Sequence, residues 1–245
     1  MKNIAFIPAR LASSRFPNKV LADIHGKTML QCVFDGIQNC GFDEVYITTC
    51  DNKIIDVAAS FGASSILTSN KHERCLDRVA EAYSHLSQKY DSDNIYCIQG
   101  DEPMIDHDIC KHFIENFNAN TYDFAVSAVN IFTEKEFVDP DIVKIVWNEY
   151  NKMVYTSRSP IPHMKYFDSS KAWKIFGMFA FTPKMLTKFN ELPSSMLEKI
   201  ESCDTNRICG LNDLEQYVIP FISSKRFQAV DNLKNIETVR SLMTI

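Results

Sequence analysis

Apolar positions run almost unbroken through residues 3–8 and then stop at a polar loop, the pattern of a short strand buried on both faces. Residues 28–40 change period: Met29, Leu30, Val33, Phe34 and Ile37 recur at helical spacing, and Gly41 ends the run. Residues 44–50 are β-branched and strand-like, Asp51 is a candidate cap for a helix over 53–61, and Gly62 stops it. A short strand is predicted over 64–68, then a long helix over 73–90 with Leu76, Val79, Ala80, Tyr83 and Leu86 on one face. A strand over 94–99 runs directly into Gly100-Asp101-Glu102-Pro103. Strand, helix, strand, helix in repetition implies parallel strands with crossover helices, hence an α/β fold with a mostly parallel sheet flanked by helices. Such sheets place ligands at the carboxyl ends of their strands, so the loops over 9–19 and 100–103 become the candidate site.

The second half has more strand character. Strands are expected over 124–132, 142–147, 153–156, 174–182 and 216–222, a short helix over 198–207, and a closing helix over 232–243. There is no internal repeat, low-complexity run or Gly/Ser linker. The simplest organisation is one domain over 1–245 with an inserted antiparallel portion.

Composition narrows the function. With 26 Lys+Arg against 31 Asp+Glu the net charge is −5, which argues against a grip on a nucleic-acid backbone. No apolar stretch approaches the ~20 residues of a membrane helix, and the first residues turn polar too soon for a signal peptide. The 8 cysteines form no CxxC pair, which suits reduced, structural thiols in a cytoplasmic protein. The 6 histidines form no HxxxH or HExxH pattern.

Several groups could carry chemistry. Arg10, Arg15 and Lys19 bring three cations into the loop after the first strand, with Ser13 and Ser14 between them. The loop has no glycine, so it is neither a Walker A loop nor a dinucleotide fingerprint, yet side-chain cations can hold a polyphosphate. The bland alternative is a solvated loop. Asp101 and Glu102 at the end of a central strand suit Mg²⁺, which takes one or two carboxylates and completes its shell with water and phosphate oxygens. The alternative is an acid capping the next helix. Asp231, just before the last helix, reads alone as such a cap. Glu201, Asp204 and Arg207 are three apart and would share one helical face, as a site or as a surface ladder of ion pairs. Arg158, between a strand end and Pro160 and Pro162, is a rigidly placed cation suited to an anion.

These loops together resemble the cytidylyltransferases that make CMP-activated sugar acids, above all those acting on 3-deoxy-manno-octulosonate (KDO). The family pattern PAR-x-x-S-x-R-x-P-x-K is matched by Pro8, Ala9, Arg10, Ser13, Arg15, Pro17 and Lys19, and QGDEP by Gln99 to Pro103. The N-P-x-x-V-K-V-V segment appears as Asp139, Pro140, Val143, Lys144, Ile145 and Val146, and Y-x-S-R-x-x-I-P as Tyr155, Ser157, Arg158, Ile161 and Pro162. A late L-E-x-x-E-x-x-E-x-x-R helix is matched by Leu197, Glu198, Glu201, Asp204 and Arg207, and a terminal V-D by Val230 and Asp231. The resemblance implies transfer of CMP from CTP to an acidic sugar, with pyrophosphate released. It implies that Arg10, Arg15 and Lys19 hold the triphosphate, with Ser13 and Arg78 in the nucleotide site and Gln99 on the nucleoside. Asp101 and Asp231 would hold Mg²⁺, with Lys19 as the third catalytic group. Arg158, Asp204 and Arg207 would serve the acid, and a homodimer would form through the portion around 124–182.

Two departures stand out. The family's S-G-T-[DE]-R is Arg74-Cys75-Leu76-Asp77-Arg78 here, and its H-x-G-I-Y-[GA]-Y becomes Ile175 to Phe181, which puts Ile175 where the family has a histidine. A lost donor rejects the substrate that needed it, so an acid other than KDO, such as a phosphonate or a nonulosonic acid, is expected unless His163 or Lys174 supplies the contact. A non-catalytic nucleotide-binding protein is the reading from a different class, and intact Lys19, Asp101 and Asp231 argue against it.

Overall fold

A computed structural model describes residues 2–13, 15–86, 94–209, 211 and 215–243. It divides into two compact units, residues 1–111 with 227–245, and residues 112–226.

The first unit is built on β1 (Asn3–Pro8), whose Ile4, Ala5, Phe6 and Ile7 are fully buried. A short hairpin of β2 (Asp23–Ile24) and β3 (Lys27–Thr28) follows. Helix α1 (Met29–Gly36) starts where the Thr28 hydroxyl accepts from the Gln31 N–H at 3.2 Å. It is shorter than predicted, because Asn39 and Gly41 take left-handed backbone (φ 61° and 107°) and turn the chain early. Then come β4 (Glu44–Thr49), α2 (Asn52–Ser60), β5 (Ser64–Leu67), α3 (Cys75–Ser84) and β6 (Asn94–Ile98). Arg74 is the extended residue before α3, so the predicted start at residue 73 moves inward, while its predicted end over 87–90 lies outside the described residues.

Strand β1 pairs with β4 on one side and β6 on the other, and β5 pairs with β4, all parallel. The register Ile4↔Ile95 and Phe6↔Cys97 makes the loops after β1 and β6 leave the same edge of the sheet side by side. Gly100 permits that approach, since a Cβ there would stand 3.0 Å from the Pro8 carbonyl oxygen. Gly36 seats α1 on the loop after β6, where a Cβ would meet the Ile105 carbonyl oxygen at 2.4 Å.

Helix α4 (His107–Asn118), which the periodicity did not disclose, runs across the division between the units. The second unit holds β7 (Phe124–Asn130), α5 (Glu134–Val138), β8 (Lys144–Trp147), β9 (Met153–Ser157), β10 (Trp173–Phe181), α6 (Pro183–Glu191), α7 (Met196–Glu201), a 3₁₀ turn (Asp204–Arg207) and β11 (Gln216–Phe221). Strand β7 pairs antiparallel with β10 and parallel with β11, while β8 pairs antiparallel with β9 and β10. The chain returns to the first unit in α8 (Leu233–Leu242), capped by Asn232. The architecture is therefore α/β, mostly parallel in the first unit and with an antiparallel portion in the second, as the alternation of elements implies. No helix among the described residues is long and apolar enough to cross a membrane. None of the 8 cysteines is in a disulfide bond.

Candidate nucleotide site and a second polar cluster

Side chains from three distant segments meet in the first unit at the ends of β1 and β6. The loop after β1 is held open in shape by backbone bonds: the Ala9 N–H donates to the Thr48 carbonyl at 2.9 Å, and the Asn18 N–H to the Leu11 carbonyl at 3.0 Å. Asn18 sits in left-handed backbone (φ 59°), which turns the chain into the 3₁₀ turn Lys19–Leu21. Lys19 thereby points its ammonium back across the strand ends. Its Nζ donates to Asp101 Oδ2 at 2.6 Å and to the Val230 carbonyl at 3.0 Å, and stands 4.0 Å from Asp231 Oδ1. Arg15 Nη2 donates to the same Asp231 oxygen at 2.8 Å. The Val230 N–H closes the ring on the Asp101 carbonyl at 2.9 Å.

Burial alone would push the Lys19 pKa down, but the charges of Asp101 and Asp231 and the Asp101 hydrogen bond outweigh it, and the pKa lies above the ordinary lysine value. Lys19 is thus a fixed cation between two acids that remain about one-quarter exposed, at 25% and 24%. Neither acid caps a helix. Asn232 caps α8, and Ile109 of α4 donates to Asp106. The capping role expected of Asp231 alone therefore falls to the residue after it.

The other predicted nucleotide residues divide. Arg10 is exposed, with Nη1 on the His72 carbonyl at 3.3 Å, and Ser13 is half-buried on the same loop. Gln99 Nε2 donates to Cys75 Sγ at 3.3 Å, so one departing residue touches a predicted recognition residue. Arg78 is buried and turned toward the end of β5, with Nη1 on Thr68 Oγ1 at 2.5 Å and on the Ser69 carbonyl at 3.2 Å. Among the described residues no three His, Cys, Asp or Glu side chains gather as a ready-made metal cage. Two carboxylates sharing one cation, with hard oxygen donors and open exposure, suit a divalent ion that completes its shell with water and phosphate oxygens.

The second unit holds the residues predicted for the acid. Arg158 is half-buried, with Nε on the Glu201 carbonyl at 2.9 Å and Nη1 on the Pro140 carbonyl at 2.9 Å. The expected single helical face of Glu201, Asp204 and Arg207 is corrected. Helix α7 stops at Glu201 because Ser202 turns left-handed (φ 52°), and Asp204 and Arg207 lie in a separate 3₁₀ turn. Arg207 is no surface residue. It pairs with Glu198 through Nη2–Oε1 at 2.6 Å and Nε–Oε2 at 2.9 Å, with exposures of 4% and 1%, and lies 4.2 Å over the Phe189 ring. Asp204 is half-buried beside it.

Two residues outside the predicted set shape these clusters. Asp51 is the cap residue of α2, but its side chain makes no capping bond; its Oδ2 accepts from the Leu11 N–H at 2.8 Å and fixes the first loop. Lys144 is wholly buried, its Nζ holding the carbonyls of Asp139, Ile142 and Arg158 at 2.8, 2.8 and 2.5 Å. Burial pulls its pKa down to about 8. The buried hydrophobic context of Val143-Lys144-Ile145-Val146 was the available signal for it.

The arrangement of cations and acids at the carboxyl edge of a parallel sheet defines a nucleotide-handling α/β protein. A family model described as cytidylyltransferase matches residues 4–219. The chain is 34% identical over 253 residues to 3-deoxy-manno-octulosonate cytidylyltransferase of Francisella tularensis subsp. holarctica (strain LVS), covering 98% of this chain and 97% of that protein. It is 37% identical over 212 residues to 3-deoxy-manno-octulosonate cytidylyltransferase 2 of Hydrogenovibrio crunogenus, covering 84% and 85%. A solved CMP:2-keto-3-deoxy-manno-octonic acid synthetase complexed with CTP superposes with a TM-score of 0.85 at 31% identity, covering 99% of this chain and 98% of that one. A 4-diphosphocytidyl-2C-methyl-D-erythritol synthase, at 16% identity and a TM-score of 0.66, shares the fold. The chain belongs to the cytidylyltransferase family.

Proposed function

We propose that this protein transfers CMP from CTP to KDO and releases pyrophosphate. The observation that carries the reading is Lys19 held between Asp101 and Asp231, with Arg15 on the second acid. An oxygen of the acid attacks the α-phosphorus, a P–O bond forms there, the bond to the α,β-bridging oxygen breaks, and pyrophosphate leaves. Little covalent work falls to the protein, so positioning and charge neutralisation dominate. Arg10, Arg15 and Lys19 bind the triphosphate, Lys19 as a compact charge toward the leaving group. Ser13, Arg78 and Gln99 complete the nucleotide's surroundings. Arg158 faces the acid, and Asp204 and Arg207 serve it in the same reading. Asp101 and Asp231 would hold Mg²⁺, which when bound offsets phosphate charge and lowers the pKa of the attacking oxygen. A cytoplasmic homodimer assembled through the portion around 124–182 belongs to the same reading. The exposed Tyr150, Val154 and Tyr166 support that surface, and sedimentation would test it.

The names of the full-length relatives favour KDO as acceptor. Ile175 favours a second reading, a related acid such as a phosphonate or nonulosonic acid. Successive strand residues face opposite sides, so Lys174, which is buried 4.0 Å from Glu136, does not stand in on the face of Ile175. His163 is exposed. Pyrophosphate release with CTP and Mg²⁺ decides: kcat/KM highest for KDO sustains the first reading, and preference for another acid sustains the second. Release from none of the acids, with CTP still bound, would return the protein to nucleotide binding alone.

A further inference from the structure

Arg158 is held from several directions within the second unit. Its N–H donates to Glu201 Oε2 at 2.9 Å, its Nε to the Glu201 backbone carbonyl at 2.9 Å, and its Nη1 to the carbonyls of Pro140 at 2.9 Å and Asp141 at 3.4 Å. Lys144 Nζ holds the carbonyl of Arg158 itself. Among the described residues every hydrogen bond of the guanidinium ends on a neutral carbonyl, so none of them cancels its charge in a direct ion pair.

Glu201 is the hub of this arrangement. Its Oε1 accepts from the Tyr155 hydroxyl at 2.6 Å and the Ser157 hydroxyl at 2.8 Å, and its Oε2 from the Arg158 N–H. Burial alone would raise the pKa of this carboxyl, but these hydrogen bonds and the Arg158 charge outweigh it and keep it ionised. A carboxylate this close to an arginine ordinarily competes with an anionic ligand for it. Here its oxygens are taken by β9 and the backbone, and only its carbonyl touches the guanidinium. That carbonyl is available because Ser202 ends α7 in left-handed backbone and leaves it without a partner inside the helix.

We infer that Glu201 is a positioning residue for the acid substrate, fixing the Arg158 guanidinium in place while leaving its charge unpaired for the substrate's carboxylate. The inference rests on the proposed reading of Arg158 as the group that meets the acid. It assigns Glu201 an effect on acceptor binding and none on nucleotide binding.

The test measures KM for KDO and for CTP separately, by pyrophosphate release, in wild type, Glu201→Gln, Arg158→Ala and the double variant. Glu201→Gln is expected to raise the KDO KM about tenfold and leave the CTP KM within about twofold. The double variant is expected to be no worse than Arg158→Ala, because both act through one guanidinium. Should Glu201→Gln fail to fold, Tyr155→Phe with Ser157→Ala strips both Oε1 donors and is expected to shift the KDO KM alone, about threefold. Equal rises in both KM values, or additive effects in the double variant, would overturn the inference, as a purely structural role predicts them. A raised KDO KM in Arg158→Ala with no change in Glu201→Gln sinks the role of Glu201 alone. An unchanged KDO KM in Arg158→Ala sinks the Arg158 assignment with it, and a wild type inactive on KDO sinks the acceptor reading.

Discussion

Two Lys/Arg–carboxylate pairs in this protein have the same closest distance, 2.6 Å, and opposite characters. Lys19–Asp101 sits at the strand ends with a second acid, a second cation and water access around it. Glu198–Arg207 is sealed at 1% and 4% exposure, doubly hydrogen-bonded and covered by Phe189. The first pair has surplus partners, so a phosphate can take the cation and a metal the acids without leaving a charge stranded. The second is shut away from solvent, so no ligand reaches either charge. Distance does not separate a site from a strut; exposure does.

The largest expected effect breaks the sealed pair. Glu198→Gln removes the buried carboxylate that pairs with Arg207 and a cap from α7, since Glu198 also accepts from the Ser195 N–H. The cost is about 3–5 kcal/mol, visible as a melting temperature lower by roughly 10 °C in a chain of this size. The KM for CTP should hold. A variant as stable as wild type with altered KDO kinetics would move Arg207 into the site.

The open pair answers in rate. Lys19→Ala should lose ~2–4 kcal/mol of transition-state stabilisation, and Asp101→Asn or Asp231→Asn should remove most turnover, because an amide binds Mg²⁺ weakly. Melting curves should barely move. Near wild-type pyrophosphate release at saturating Mg²⁺ in either Asn variant would show that these acids hold no metal.

Lys144 is a third kind of cation, buried with three carbonyls and no carboxylate. With a folded pKa near 8 against 10.5 when unfolded, it burdens the fold fully below pH 8, and the burden lifts as pH rises toward 10.5. Between those limits the unfolded chain binds more protons, so this group makes stability rise with pH. Comparing melting temperatures of wild type and Lys144→Met from pH 7 to 10 checks it: wild type should gain relative to the variant on the alkaline side.

The smallest effect belongs to Arg10, which is exposed and holds one carbonyl at 3.3 Å. Arg10→Ala should cost about 1 kcal/mol or less in CTP binding, and less still at high salt.

The strands of the first unit were legible because buried parallel strands are continuous apolar runs: β1 falls on its predicted residues, and β4, β5 and β6 within one residue of theirs. The site loops followed, since their place at the strand ends is a consequence of the alternation. The helix over 198–207 was misread because spacing cannot register a single left-handed residue such as Ser202, and the break turns a supposed exposed face into a buried pair. Helix α5, with 5 residues, was missed because it is too short to show a period, although Thr133 with Glu136 carries a start signal; α6 was missed although Thr182 with Pro183 marks its start and Met185, Leu186 and Phe189 line one buried face. Asp51 escaped because its partner, a backbone N–H of Leu11, leaves no trace in composition.

The bond from Lys19 to the Val230 carbonyl has a consequence in time. Val230 is synthesised 211 residues after Lys19. At roughly 5–20 residues per second, that is ~10–40 s on the ribosome. During most of that interval the nascent first unit contains β1, β6, Lys19 and Asp101, but neither Asp231 nor the strand of backbone that anchors Lys19. A growing chain can therefore settle its sheet early and still handle no nucleotide, and competence arrives only once the segment carrying Val230 and Asp231 emerges.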